Sequence, residues 1–146
     1  MSRPERVAWA EAVVGQDLDA KVTRPLTITD FVRYQGASGD MNPIHHDVDF
    51  AQKAGYPGPF AVGMRQAGVM AGYSAELFGP DNVRRFKVQF REQAWPGDVI
   101  TYKVTVTGKR VEDGVRLIDL ELVAERQTGG VHLKGWATFV VPEGEA

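Results

Sequence analysis

The spacing of hydrophobic residues changes about half-way along the chain. From Gly63 to about Phe78 small and apolar residues recur every three or four positions, which is typical of an α-helix. Because apolar residues nearly encircle this segment, we expect it to be buried on most sides, with its Gly and Ala stripe against a sheet. An ordinary core helix without any special role is the alternative interpretation.

Beyond residue 82 the period becomes two, which predicts half-buried strands. Phe86, Val88 and Phe90 lie on one face of the first strand, and three further strands follow after turns rich in Gly, Pro and Asp. These three are expected over about 100–106, 115–124 and 133–140. A weaker strand is expected earlier, around residues 18–22.

Two short helices are predicted between the weak strand and the long helix. Thr27 and Asp30 offer N-cap side chains for the first, which should end near Gly36, and Asp47 offers one for the second. The residues between the helices, 38–47, favour non-helical backbone, so we expect a rigid loop whose side chains face a cleft.

This order of elements predicts an α+β fold, in which a curved antiparallel sheet wraps around one long helix. The 146 residues, 43% of them hydrophobic, are enough for one domain with a core, so we expect a single domain over 1–146 with its core at about 15–142. An open sheet leaves an unpaired edge, which favours dimerisation.

Charge and composition narrow the range of partners. Seventeen Lys plus Arg and nineteen Asp plus Glu are interspersed, which argues against nucleic-acid and membrane binding and favours small molecules or proteins. The chain has no cysteine, which excludes thiolate nucleophiles and thiolate-bound metals. Residues 1–17 resemble no signal peptide and no uncharged run approaches a membrane span, so a cytoplasmic location is expected.

The candidate chemistry lies in the 38–47 loop, where Asp40 and His45 are five residues apart. A carboxylate and an imidazole held on one turn can share a water molecule. Taken singly, Asp40 is equally explained as a turn cap, Asn42 with Pro43 as a turn initiator, and His45 as a structural histidine.

The other histidines give weaker signals. His46 is expected to be exposed beside the loop, and His132 lies on a predicted strand without an evident partner. A metal site from His45, His46 and Asp47 is disfavoured, because adjacent histidines on an irregular turn seldom converge on one ion and no fourth ligand is obvious.

The loop and its flanks resemble a known family. Tyr34, the run Ser-Gly-Asp-Met-Asn-Pro-Ile-His over 38–45, Asp47, Ala51, Ala54-Gly55 and Gly63-Met64 are similar to the hydratase-2 motif of MaoC-like (R)-specific enoyl-CoA hydratases. The resemblance implies a hot-dog fold and addition of water to trans-2-enoyl thioesters of coenzyme A or acyl carrier protein. It also implies (R)-3-hydroxyacyl products, no cofactor beyond that carrier, and a homodimer or a pair of hot-dog subunits.

The same resemblance implies roles for individual residues. Asp40 and His45 would act on one water, with the choice of base and acid left open, and Asn42 would help to hold loop and water. The first N–H groups of the long helix, at Gly63, suit an enolate-like thioester oxygen, and glycine there would let the acyl group approach. The remaining assignments are a supporting role for Ser38 and substrate contacts for Tyr34, Val62 and Met64.

One position departs from the family pattern. Members usually carry a histidine immediately before Gly63-Met64, and this chain has Val62. Val62 favours a second hypothesis, a non-catalytic or half-active subunit that completes a partner's pocket, whereas retention of Asp40 and His45 argues against it. A third hypothesis is an acyl-CoA thioesterase, which would need an acidic residue on the long helix, where Glu76 lies near the far end.

Overall fold

A five-stranded antiparallel sheet forms the framework of the computed structural model, which describes residues 5–142. In chain order the strands are β1 (Lys21–Val22), β2 (Val83–Phe90), β3 (Ile100–Glu112), β4 (Val115–Arg126) and β5 (Val131–Val140). Their spatial order is β1-β3-β4-β5-β2. The α+β prediction is confirmed, and β2 to β5 lie where alternation placed them or extend beyond it. Strand β1 covers only the last two residues of the weak strand expected around 18–22.

Strand β2 pairs with the last strand and not with β3, which follows it in the chain. Val83 lies opposite Phe139 and Phe90 lies opposite Leu133. Just beyond this ladder, the Arg91 N–H donates to the carbonyl oxygen of His132 at 3.0 Å. The pairing therefore brings the end of β2 beside the start of β5, a juxtaposition that shapes the site.

Three α-helices precede most of the sheet in the chain: α1 (Ile28–Ser38), α2 (Val48–Lys53) and α3 (Gly63–Phe78). Short 3-10 helices cover Pro43–His45 and Pro80–Asn82. Thr27 and Asp30 form a reciprocal capping box at the start of α1, as their spacing predicts. Helix α1 passes through Gly36 and ends only at Ser38, where Gly39 is the C-cap with a left-handed φ of 79°.

The long helix has the predicted bounds and is buried or half-buried on most sides, because only Met64, Gly68 and Gly72 among its residues are exposed. The prediction that its glycines lie against the sheet is wrong. Its buried face, which includes Ala67, Met70 and Leu77, packs against β2, β4 and β5. The sheet covers only that side of the helix. Gly68 and Gly72 are exposed, and a Cβ added to either would meet nothing within 4 Å.

The close approach of helix and sheet depends instead on a glycine in β5. A Cβ added to Gly135 would lie 2.7 Å from the Met70 sulfur and 3.3 Å from the backbone oxygen of Lys87. The small residue that the packing requires is therefore on the strand. Among residues 5–142, no helix has both the length and the apolar character needed to cross a membrane.

Candidate active site

A cleft of about 380 Å³ lies between the loop that follows α1 and the paired ends of β2 and β5. Its lining consists of Asp40, His45, residues 60–64, residues 90–93 and His132. The two residues predicted to share a water thus line one cavity together with the first residues of α3.

Local hydrogen bonds hold the Asp40 carboxylate at the edge of this cleft. Gly39 turns the chain out of α1, and the Asp40 N–H then donates to Ser38 Oγ at 3.2 Å. Asp40 Oδ1 accepts the Asn42 N–H at 3.3 Å. Because Asp40 is exposed and only Oδ1 is engaged in the loop, Oδ2 can accept a proton from a molecule in the cleft.

Asn42 builds the turn that delivers His45. Its Oδ1 accepts the Ile44 N–H at 3.1 Å and so caps the 3-10 helix over 43–45. That cap explains why the side chain of Asn42 is absent from the cleft lining, whereas His45, at the end of the 3-10 helix, belongs to it. This hydrogen bond lies within the loop, and the predicted role of Asn42 in holding loop and water stays a prediction.

His45 is held in one orientation by a backbone carbonyl. It is 8% exposed, and its Nδ1 lies 2.8 Å from the oxygen of Phe60. Since a carbonyl oxygen only accepts, Nδ1 carries the proton, and neutral His45 then offers Nε2 as an acceptor. The Phe60 ring meets the imidazole edge at a centroid distance of 5.2 Å and contacts Tyr56 and Trp95 behind it.

Gln35 of α1 holds the same loop through two hydrogen bonds. It was not predicted as a site residue. It is 1% exposed. Its Nε2 donates to the backbone carbonyl oxygen of Asn42 at 2.9 Å, and its Oε1 accepts from His46 Nδ1 at 2.8 Å. His46 itself is exposed, as expected. The only sequence signal for Gln35 was that a polar residue lies four positions after the apolar Phe31, on the same face of α1.

The start of α3 forms the adjoining wall. Val62 is the N-cap, it is 2% exposed, and it makes no side-chain capping hydrogen bond. The space above Gly63 is occupied, because an added Cβ would lie 2.5 Å from Cε1 of Phe90. The expectation that glycine leaves this space to an acyl group is therefore corrected: the Phe90 ring lies there, and it requires the glycine.

The other predicted residues divide between cleft and loop. Val62 and Met64 line the cleft, with Met64 55% exposed. Ser38 supports the backbone of the loop, and Tyr34 is half-buried against the hydrophobic core, outside the lining. The roles predicted for these residues in catalysis and substrate binding stay predictions.

The part of the cleft lining that comes from β2, β5 and the residues just after β2 was not predicted from the sequence. It comprises Phe90, Arg91, Glu92, Gln93 and His132. His132 is 3% exposed, and its Nδ1 lies 2.6 Å from the carbonyl oxygen of Glu92. Burial lowers the pKa of His132.

The described part of the chain holds no cluster of three or more His, Asp or Glu side chains arranged around a metal position. The three neighbours considered from the sequence have separate partners. His45 contacts the Phe60 carbonyl, His46 contacts Gln35, and Asp47 caps α2 by accepting the Phe50 N–H.

The sequence matches the family described as MaoC like domain over residues 10–126. The chain belongs to this family. This MaoC-like protein is 31% identical over 129 residues to the (R)-specific enoyl-CoA hydratase of Rhodospirillum rubrum, a match that covers 84% of the chain and 85% of the relative. The family resemblance read from the 34–64 motif is thereby confirmed.

A second relative is much longer. The peroxisomal multifunctional enzyme type 2 of Mus musculus is 31% identical over 110 residues, which are 73% of the MaoC-like chain and 15% of the mouse protein. The chain thus spans only a small part of that enzyme.

Solved structures establish the fold. The R-hydratase PhaJ1 from Pseudomonas aeruginosa superposes with a TM-score of 0.82 at 23% identity, over 94% of this chain and 87% of that one. A chain of the ChsH1-ChsH2 complex from Mycobacterium tuberculosis superposes with a TM-score of 0.75 at 24% identity, over 89% and 98%. The MaoC-like chain has the hot-dog fold of these proteins.

Proposed function

We propose that this protein is a cofactor-independent hydratase, which adds water to trans-2-enoyl thioesters and gives (R)-3-hydroxyacyl thioesters. The observation that carries the proposal is that Asp40 and His45 line one cleft together with the uncapped start of α3. The relative of similar length, from Rhodospirillum rubrum, is named for the same reaction. Coenzyme A or acyl carrier protein would carry the acyl group.

The two side chains divide the handling of one water molecule. The free oxygen of Asp40 and the Nε2 of neutral His45 are both acceptors, so each can accept a hydrogen bond from the same water. A lone pair of the water oxygen then remains free to attack the β-carbon. One of them takes a proton as the C–O bond forms. The π electrons move toward the thioester oxygen, and the proton taken from the water is then returned to the α-carbon, so that one water is added and both side chains regain their starting states.

The start of α3 supplies the third requirement. Negative charge develops on the thioester oxygen, and backbone N–H groups at a helix N-terminus stabilise such charge. Val62 offers no side-chain acceptor that would occupy them. A thioester oxygen that reaches these N–H groups requires the exposed ring of Phe90 to rotate away from Gly63.

The thioesterase alternative finds no support in the charges of α3. The first turn of this helix contains no acidic residue. Glu76 pairs with Lys21 at 3.1 Å and does not belong to the cleft lining. No carboxylate of α3 is therefore placed to attack an acyl carbonyl in this cleft.

The test is an assay of purified protein with crotonyl-CoA and longer trans-2-enoyl-CoA esters. Hydration lowers the absorbance of the conjugated thioester, and chiral analysis of the product should give the (R)-3-hydroxy form. Release of free thiol would select the thioesterase instead. No loss of absorbance at any chain length would reject an independently active hydratase.

We propose that the functional unit contains a second hot-dog subunit, either another copy or a related chain. Strand β2 is an edge of the sheet, and it exposes Val83 and Phe90 at its two ends. One structural neighbour is itself a complex of two proteins, ChsH1 and ChsH2. Sedimentation of the assayed preparation tells the two cases apart: a self-pairing protein has the mass of two chains, whereas one that pairs with a related subunit has the mass of one.

A further inference from the structure

One buried nitrogen in the cleft wall lacks a hydrogen-bond partner. His132 begins the β5 wall of the cleft and is 3% exposed. Its Nε2 is buried and unpaired within residues 5–142. Buried polar side-chain atoms are normally hydrogen-bonded, so this atom calls for an explanation.

The partner of the other ring nitrogen fixes the chemistry of Nε2. Nδ1 lies 2.6 Å from the Glu92 carbonyl oxygen, which only accepts, so Nδ1 carries the proton. In the neutral ring Nε2 is then a pure acceptor. Burial lowers the pKa of His132, which keeps the ring neutral near pH 7.

The position of His132 separates it from the groups that handle water. Asp40 and His45 belong to the loop wall, whereas His132 lies on β5 beside the end of β2, where its carbonyl accepts the Arg91 N–H at 3.0 Å. His132 therefore lines the same cavity from a different element of the fold. Because the loop already supplies the two acceptors that the proposed chemistry assigns to the water, a contact with the substrate is the role left for His132.

We propose that Nε2 of His132 is a substrate-binding acceptor, which takes a hydrogen bond from an N–H or O–H donor of the bound acyl thioester. This inference rests on the proposed function, because it names a contact with the substrate of that site. Two donors have the required chemistry. One is an amide N–H of the pantetheine arm, and the other is the 3-hydroxyl of the hydrated product.

The sharpest variant is His132→Asn. The Asn amide nitrogen can replace Nδ1 as donor to the Glu92 oxygen, while the acceptor at Nε2 is removed. Lys103→Gln, on β3 and outside the cleft lining, serves as the control. Binding of butyryl-CoA and of (R)-3-hydroxybutyryl-CoA is measured by calorimetry for the wild type and both variants.

Loss of one neutral hydrogen bond should weaken binding about 3- to 10-fold in His132→Asn and leave Lys103→Gln unchanged. Equal weakening with both esters identifies the pantetheine amide as donor. Weakening confined to the hydroxy ester identifies the 3-hydroxyl. Unchanged binding of both esters would overturn the inference, since the partner of Nε2 would then be something other than the substrate.

A second measurement needs neither a variant nor turnover. In the wild-type protein with ¹⁵N-labelled histidine, the unprotonated Nε2 resonance of His132 should move upfield when the ester binds. An unmoved resonance at saturation contradicts the inference even if His132→Asn fails to fold. If the protein hydrates enoyl-CoA but the resonance does not move, the proposed function stands and the His132 contact is rejected. If the resonance moves but no hydration occurs, the His132 contact stands and the proposed function is rejected.

Discussion

The carbonyl of Phe60 decides which nitrogen of His45 can meet a water molecule. Because it accepts from Nδ1 at 2.8 Å, a flip of the ring would break this half-buried hydrogen bond. Gln35 adds a second constraint on the loop, because its Nε2 donates to the backbone carbonyl oxygen of Asn42 at 2.9 Å. At the residue scale, the site is thus a loop whose reactive atoms are positioned by neighbours that do not react.

The first prediction concerns the two reacting side chains. Asp40→Asn and His45→Asn should each lower kcat about 10²- to 10⁴-fold, because each removes a group that can take up and release a proton, which general acid–base chemistry requires. Asparagine at 45 keeps a donor for the Phe60 oxygen, so the loss should not follow from a displaced loop. Steady-state hydration of crotonyl-CoA gives the rates, and thermal melting verifies folding.

Asp49→Asn is the matched control, since Asp49 is an exposed carboxylate of α2 outside the cleft lining. This variant should retain the wild-type rate. A rate close to wild type in Asp40→Asn or His45→Asn would remove that residue from the mechanism.

The sequence predicted the local half of the site and missed the half that distant residues create. Asp40 and His45 lie on one short motif, so their proximity follows from the loop alone. His132 reaches the cleft only because β5 pairs with β2, and nothing in the spacing of His132 indicates that pairing. Gln35 looked like an ordinary helix position until its contacts with Asn42 and His46 were known.

At the scale of the elements, periodicity located α3 to the residue but did not show which face is buried. An apolar, small-residue helix is compatible with burial on one side or on all sides. The structure covers the side of Met70 and leaves Gly72 exposed, and the strand residue Gly135 permits the close contact. Strand order, which decides this coverage, depends on long-range pairing that period-two patterns do not encode.

This packing gives the second prediction. Gly135→Ala should lower the free energy of unfolding by about 1–3 kcal/mol, because the added Cβ overpacks against Met70 and the backbone of β2. Urea unfolding measures the change. In Gly72→Ala the methyl group meets open space, and better helix propensity should raise the free energy of unfolding by about 0.5–1 kcal/mol.

Both glycine variants are needed for the comparison. A Gly135→Ala protein as stable as the wild type would show that α3 and β5 are not in the close contact described. Equal destabilisation by both substitutions would point to a general effect of the added methyl group instead of to this contact.

At the scale of the whole molecule, one buried carboxylate connects two helices. The Asp30 side chain is 5% exposed, pairs with Arg24 at 2.5 Å and lies 3.8 Å from Arg65 of α3. The hydrogen bond from Arg24 lowers the pKa of Asp30 to about 2. The same carboxylate belongs to the capping box with Thr27, so it stabilises α1 as well as its contact with α3.

The third prediction is a loss of stability in acid. A carboxyl whose pKa is lower in the folded than in the unfolded protein contributes stability above the unfolded value and loses it as pH falls through the folded value. Asp30 should therefore contribute about 1–2 kcal/mol near neutral pH, less than its full pKa shift implies because Arg24 is largely solvated. This contribution should disappear between about pH 4 and pH 2.

Urea unfolding of the wild type and of Asp30→Asn across this pH range measures the effect. The variant should be less stable at pH 6, and the two free energies of unfolding should converge as the pH approaches 2. Parallel curves, with a constant difference down to low pH, would show that the charge of Asp30 contributes nothing.

The two walls of the cleft come from separate stretches of chain. Asp40 is held by Ser38 and Asn42 and His45 by the Phe60 carbonyl, whereas Phe90 and His132 lie on strands β2 and β5 of the sheet. Substitutions on the sheet wall leave the hydrogen bonds of the loop wall in place. Descendants of one ancestral protein can therefore diversify in the molecules they accept while inheriting the same chemistry, and an engineer can randomise the sheet wall alone.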